Sequence, residues 1–234
     1  MKQEVIDQWN EELKKASPAE ILKFAFENID GQIAMATSLS VEDQYVTALI
    51  AEAGFNCYFF TLDTGRLPQE TYDAIAATEK KYGLKIHAQF PDREKVEEMV
   101  DEHGINLFYD SIEKRKLCCS IRKTQPLQRA LKGKAAWITG LRREQSVTRI
   151  NLPIFELDVH TGLIKINPIA DLFESEVWDK IKELDIPYNS LQDKGYRSLG
   201  CLPCTRPVSA EDDFRAGRWW WENPENKECG LHVK

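Results

Sequence analysis

Residues 33–46 read IAMATSLSVEDQYV, and this stretch decides the fold. The apolar run 33–37 has the length and composition of a short buried strand. Ser38, Leu39 and Ser40 form a serine-rich turn, and from Val41 onward the apolar residues Val46, Ala48, Leu49 and Ile50 suit a helix. A strand that turns directly into a helix is one β-α unit. The pattern recurs: strand NCYFFTL (56–62), loop DTGRLP, a helix over about 69–82, strand LKIHAQF (84–90) and a helix over about 93–103. Parallel strands need crossover helices, so this alternation predicts a three-layer α/β/α fold with a mostly parallel sheet.

Working outward, Ser17-Pro18-Ala19-Glu20 reads as a capping box with proline in the first turn, ahead of a helix carrying Ile21, Leu22, Phe24, Ala25 and Ile29. Downstream, the region 105–117 reads as irregular and leads to Cys118 and Cys119, followed by a helix with Leu127 and Leu131. Strand AAWIT (135–139) ends at GLRREQSVTR, a further strand lies near LIKINPI, and a helix near 174–184 stops before Pro187. Ser209 with Asp212 reads as another helix start, which would place Arg215 and Arg218 on one face.

The chain has 234 residues, 42% of them hydrophobic, and a formal charge of −7, which fits one soluble domain with little disorder. No apolar run approaches the roughly 18 residues of a membrane span, and the start, MKQEVIDQWNEELKK, carries no apolar signal core. The reading is therefore a cytoplasmic protein without a membrane partner, and the acidic balance points away from nucleic acid. One α/β domain is expected over 1–216, with 217–234 as a mobile tail.

Three loops fall at the carboxyl ends of strands, where open α/β sheets bind ligands: SLSVED (38–43), DTGR (63–66) and GLRR (140–143). The first places two hydroxyls and backbone N–H groups at a helix N-terminus, suited to an anion, although an ordinary N-cap has the same residues. Arg142, Arg143 and Arg149 bring three guanidiniums close together, a group type that grips phosphate or sulfate in bidentate fashion. Arg215, Arg218 and Lys123 are further candidate cations.

Five of six cysteines are grouped as Cys118/Cys119, Cys201/Cys204 and Cys229, which in a reducing compartment points to metal or redox chemistry. Adjacent Cys118 and Cys119 fit the separate corners of an iron–sulfur cluster better than one tetrahedral zinc, although zinc stays open. Cys57, inside an apolar strand, reads as a small core residue. Cys229, near the chain end, sits where a nucleophile could visit two partners. The run Trp219-Trp220-Trp221 reads equally well as the anchor of the tail's root or as core filling.

Six ordered motifs, SLSVED, LDTGR (62–66), CCSIRK (118–123), TGLRREQS (139–146), CLPC (201–204) and ECGLH (228–232), resemble the phosphoadenylyl-sulfate reductase family in its assimilatory adenylyl-sulfate branch. The resemblance implies an adenine-nucleotide α-hydrolase-like fold with a modified pyrophosphate loop. It implies that Ser38 and Ser40 lie in that loop, with Asp43 near the ribose, and that Leu62, Thr64 and Gly140 meet the adenosine. It further implies that Lys123, Arg142, Arg143, Arg149, Arg215, Arg218 and His232 serve the phosphosulfate. Cys118, Cys119, Cys201 and Cys204 match the ligands of a 4Fe-4S cluster, and Cys229 matches the nucleophile. The implied partners are adenylyl sulfate as substrate and thioredoxin, or a glutaredoxin-like donor, as reductant. Activity on the 3′-phosphorylated substrate stays open, as does oligomeric state, a homo-oligomer included.

Two other readings compete. An ATP pyrophosphatase-type adenylating enzyme would use the same fold, but SLSVED lacks the glycine pair that lets backbone approach a pyrophosphate closely. A non-catalytic iron–sulfur sensor explains the four grouped cysteines but gives Cys229, His232 and the arginine loops no task.

Overall fold

The computed structural model describes residues 3–146, 149–209 and 211–223. Six strands form one sheet: β1 (Ile33–Ala36), β2 (Cys57–Leu62), β3 (Ile86–Gln89), β4 (Ala136–Ile138), β5 (Phe155–Leu157) and β6 (Ile164–Ile166). Their order is β3-β2-β1-β4-β6-β5. All neighbours pair in parallel except β5 with β6, which is antiparallel. From β1 the chain runs outward through β2 to β3, then crosses back to enter β4 on the other side of β1. The carboxyl ends of β1 and β4 therefore open a crevice at the switch point, where the chain places its Ser38 and Gly140 loops.

The central strands are apolar on both faces because helices cover both. Ile33, Met35 and Phe59 pack into the larger core with α2 (Pro18–Asn28), α3 (Val41–Glu52), α4 (Gln69–Tyr82) and α8 (Glu174–Glu183). The alternate residues Ala34, Phe60 and Trp137 pack against Leu127, Ala130 and Leu131 of α7 (Gln125–Leu131). This is the strand's period of two read through a double-sided core. The capping box that starts α2 is formed, with the Ser17 backbone N–H donating to Glu20 at 2.7 Å. At the sheet's end, α1 (Gln3–Glu12) lies against β5, and the Asn10 side-chain amide makes two 2.9 Å bonds with the backbone N–H and C=O of Phe155.

The structure departs from the sequence reading in two places. Residues 105–117 are ordered: a 3-10 turn at Leu107–Tyr109 leads into helix α6 (Ile112–Cys119), capped by Ser111, which follows α5 (Arg93–His103). Apolar periodicity conceals α6 because its buried residues are Arg115, Cys118 and Cys119. A wider π turn, Ser120–Thr124, then joins α6 to α7. Conversely, no helix follows Ser209 among the described residues. Its N–H and hydroxyl both donate to the Asp212 carboxylate at 2.8 and 2.9 Å, closing a local turn, and Arg218 then bridges antiparallel to Thr205. Arg215 and Arg218 thus come from a turn rather than a helix face. Among the described residues, no helix is long and apolar enough to cross a membrane.

Candidate active site

The loop after β1 shapes the crevice. Thr37 Oγ1 accepts from the Leu39 N–H at 3.1 Å, and Leu39 itself adopts a left-handed φ of 63°, a conformation that costs energy in a branched residue and recurs at functional turns. Ser40 begins α3 without a side-chain capping bond, and its hydroxyl-bearing side chain lines the cavity. Asp43 is buried and accepts three hydrogen bonds: from the Ser38 N–H and hydroxyl, both at 2.6 Å, and from the Gly140 N–H at 3.0 Å. This one carboxylate therefore ties the β1 loop to the β4 loop. Burial pushes its pKa up to about 6 against the pull of those bonds. Gly140 is required by the approach: a Cβ there would overlap Asp43 Oδ1 and lie 2.8 Å from the Asp43 backbone nitrogen.

Two kinds of side chain line the cavity. Ala36, Phe60, Leu62, Leu127 and Trp137 supply apolar wall, while Lys123, Arg149, Arg215 and Arg218 supply cations. Of the residues expected at the site, Ser38, Ser40, Asp43, Leu62, Thr64, Lys123, Gly140, Arg149, Arg215 and Arg218 all line it. Cys229 and His232 lie outside the described residues.

Arg142 and Arg143 do not line the cavity, which corrects the expectation for both. Arg142 is fully buried and spends its guanidinium on Glu42 at 3.0 Å, Glu144 at 2.6 Å and the Leu172 carbonyl at 3.3 Å. Arg143 pairs with Asp171 and donates to the Leu152 carbonyl at 2.8 Å. Arg149 does reach the cavity, with Nη1 donating to Gln145 Oε1 at 2.7 Å. Gln145 Nε2 in turn donates to Glu42 at 3.2 Å, so one buried acid holds Arg142 directly and Arg149 through Gln145.

Sequence reasoning missed four contributors. Arg197 reaches the cavity from the segment before the CxxC motif, paired with Glu174 and stacked 5.3 Å from the Phe214 ring. Trp137 and Phe60 were legible as strand residues but carried no signal that they face a cavity. Arg122 is buried behind Thr64 and donates to its carbonyl at 2.7 Å.

Thr64 is also the hinge between the cavity and the cysteines. Its hydroxyl lies 3.2 Å from Cys201 Sγ, and the Leu202 N–H bonds to the Arg66 carbonyl at 2.8 Å, fastening the CxxC turn to the loop after β2. Cys118, Cys119, Cys201 and Cys204 are all buried in one apolar cluster with Met99, Leu107, Phe108, Ile121 and Trp219. Burial raises Cys118 and pushes Cys204 up to about 12. At Cys201 burial acts the same way, but the Lys123 charge, the Thr64 bond and the charges of Arg218 and Arg122 outweigh it and hold the thiol below its ordinary value. The donor set is sulfur only and cationic at its border, which fits thiolate ligands of an iron–sulfur cluster. Among the described residues no group of three or more His, Cys, Asp or Glu is arranged to hold a metal ion.

Residues 217–222 of the expected tail are packed against the body. The Arg206 N–H bonds to the Gly217 carbonyl at 3.1 Å and the Trp219 N–H to the Cys204 carbonyl at 3.1 Å. Trp219 belongs to the cysteine cluster, whereas Trp220 and Trp221 pack edge-to-face around Tyr109. The tryptophan run therefore both fills a core and roots the segment after it.

The chain is 49% identical over 94% of its length to the adenosine 5′-phosphosulfate reductase of Allochromatium vinosum, covering 85% of that protein. It is 50% identical over 84% of its length to the enzyme of the same name from Neisseria meningitidis serogroup B, covering 80% of it. Among solved structures it resembles phosphoadenylyl-sulfate reductase from Candida auris, crystallised as a phosphate complex, with a TM-score of 0.75 and 29% identity over 89% of this chain and 98% of that one. A Candida glabrata FMN adenylyltransferase shares the fold at a TM-score of 0.55 and 14% identity, covering 90% of this chain and 73% of that one. Residues 32–207 match the phosphoadenosine phosphosulfate reductase domain, a span that takes in the β1 loop, the arginine loop and all four clustered cysteines, and the chain belongs to that family.

Proposed function

We propose that the protein reduces adenosine 5′-phosphosulfate to sulfite and AMP in assimilatory sulfate reduction, in the cytoplasm. The observation that carries this reading is the mixed lining of one cavity: apolar side chains together with five cations, Lys123, Arg149, Arg197, Arg215 and Arg218, which suits a nucleoside carrying a phosphosulfate. Its relatives of 49–50% identity are named for that substrate.

The chemistry follows from the residue types. The Cys229 thiolate attacks the sulfur of the phosphosulfate, an S–S bond forms, and the S–O bond to phosphate breaks with its electron pair leaving on AMP. Lys123, Arg149, Arg215 and Arg218 stabilise the charge growing on the departing phosphate and draw the anionic thiolate toward an anionic substrate. A thiolate of reduced thioredoxin, or of a glutaredoxin-like donor, then attacks Cys229 Sγ and sulfite departs. The donor's second thiol resolves the mixed disulfide, so the two electrons come from the dithiol. His232 is assigned to the same anion site.

We further assign Cys118, Cys119, Cys201 and Cys204 as ligands of a 4Fe-4S cluster. When bound, the cluster supplies a buried charge centre next to the anion site. Lys123 and Arg218 border both regions, so the same two cations serve substrate and cysteines.

The test is sulfite release from adenosine 5′-phosphosulfate and from its 3′-phosphorylated form, with reduced thioredoxin and anaerobically purified protein of known iron content. Sulfite from the unphosphorylated compound is expected, and Cys229→Ser abolishes it while keeping the iron. No sulfite from either compound with iron present overturns the reading.

A further inference from the structure

Arg115 is fully buried in α6, three residues before Cys118, and its guanidinium holds three partners at once. Nε and Nη2 donate in bidentate fashion to the two carboxylate oxygens of Glu222 at 2.9 and 2.7 Å. The guanidinium carbon sits 4.4 Å over the ring of Trp219, and a further bond reaches Cys119. The Glu222 side chain is only 4% exposed. A buried ion pair of this kind contributes little net stability, because desolvation offsets the attraction, but it permits only one geometry. Its partners show what is held in that geometry. Trp219 bonds through its backbone to Cys204, Glu222 bonds through its backbone to Trp219, and Arg115 comes from the helix of Cys118 and Cys119. Both cysteine pairs therefore grip the same short segment.

That segment leads to Cys229, seven residues beyond Glu222. Arg218, four residues before Glu222, lines the cavity, so Glu222 lies within about 14 Å of that wall, while seven extended residues reach about 25 Å. Seven residues of chain are therefore enough to span the distance from Glu222 to the cavity wall.

We propose that the Arg115–Glu222 ion pair is the fixed point from which the segment carrying Cys229 departs, and that these two are positioning residues for sulfur transfer. The proposal rests on Cys229 being the nucleophile. The pair makes the direction in which the segment leaves the body depend on the helix that carries Cys118 and Cys119. Losing the pair leaves the cavity intact but frees the origin of the nucleophile.

The test uses full-length, anaerobically purified protein and three readouts: iron content, AMP affinity by calorimetry, and the single-turnover rate of S-sulfocysteine formation at Cys229 by mass spectrometry. In Glu222→Gln, iron and AMP affinity are expected to stay within twofold of wild type while the transfer rate falls about 10- to 100-fold, the scale of a misplaced reacting group. Should that variant lose iron, Arg115→Met with Glu222→Met, which strands no charge, replaces it with the same expectation. A wild-type transfer rate in the iron-retaining variant overturns the proposal, as does a rate loss matched by an equal loss of AMP affinity. Failure of the wild-type protein to form S-sulfocysteine at all would instead overturn the catalytic reading and take the proposal with it.

Discussion

Glu42, in the first turn of α3, and Arg142, in the loop after β4, form an ion pair at 3.0 Å with both side chains sealed from solvent. Two loops that the sequence separates by 100 residues are locked together beside the cavity, and the lock draws in Gln145 and, through it, Arg149. Replacing Arg142 with methionine strands a buried carboxylate, so the variant is expected to lose about 3–5 kcal/mol of unfolding free energy. Urea denaturation checks this, and removing both charges in Arg142→Met with Glu42→Gln recovers most of the loss.

Arg149 and Arg143, six residues apart, are expected to behave oppositely. Arg149→Met removes a cation from the cavity wall and raises KM by about tenfold or more, the scale of one hydrogen bond to a charged group. Arg143→Met breaks a partly exposed pair with Asp171 and leaves KM within about twofold, since such pairs contribute about 1 kcal/mol or less. Steady-state kinetics on the two variants decides, and equal effects would contradict the placement of Arg143.

Gly140→Ala drives a methyl group into the carboxylate that joins the β1 and β4 loops. The loops must part, and AMP affinity measured by calorimetry is expected to fall by at least about tenfold. An unchanged affinity would show that the two loops move independently.

Asp43 predicts a pH effect of definite sign. Burial raises its pKa from 3.8 to about 6, so between those values the folded chain keeps a proton that the unfolded chain has released. Its contribution to stability is full below the unfolded value and is lost as pH rises through about 6. Asp43→Asn has no such proton, so the variant gains stability relative to wild type as pH rises from 4 to 6. Urea midpoints at several pH values test the slope.

Much of this site was legible because parallel strands end on one rim. That rule placed Ser38, Thr64 and Gly140 together, and the grouping of the cysteines anticipated that Cys118, Cys119, Cys201 and Cys204 are buried side by side. What stayed hidden was direction. Arg142 and Arg149 look alike in sequence, yet one faces Glu42 and the other the cavity, because the buried Glu42 of α3 claims the nearer guanidinium. Arg197 carried no positional signal, since it reaches the wall through Glu174 and Phe214 rather than from a strand end. Helix α6 escaped periodicity because an arginine and two cysteines occupy its inner face. The three-residue strand β5 was too short to register beside its antiparallel partner.

The Asn10 amide, bonded to both backbone groups of Phe155, has a bearing on assembly. An outermost strand ordinarily offers its free N–H and C=O groups as a template for another chain. Here a side chain from α1 imitates one residue of a neighbouring strand and occupies that template. The N–H and C=O of Phe155 are thereby already engaged and are not offered to a strand of another copy.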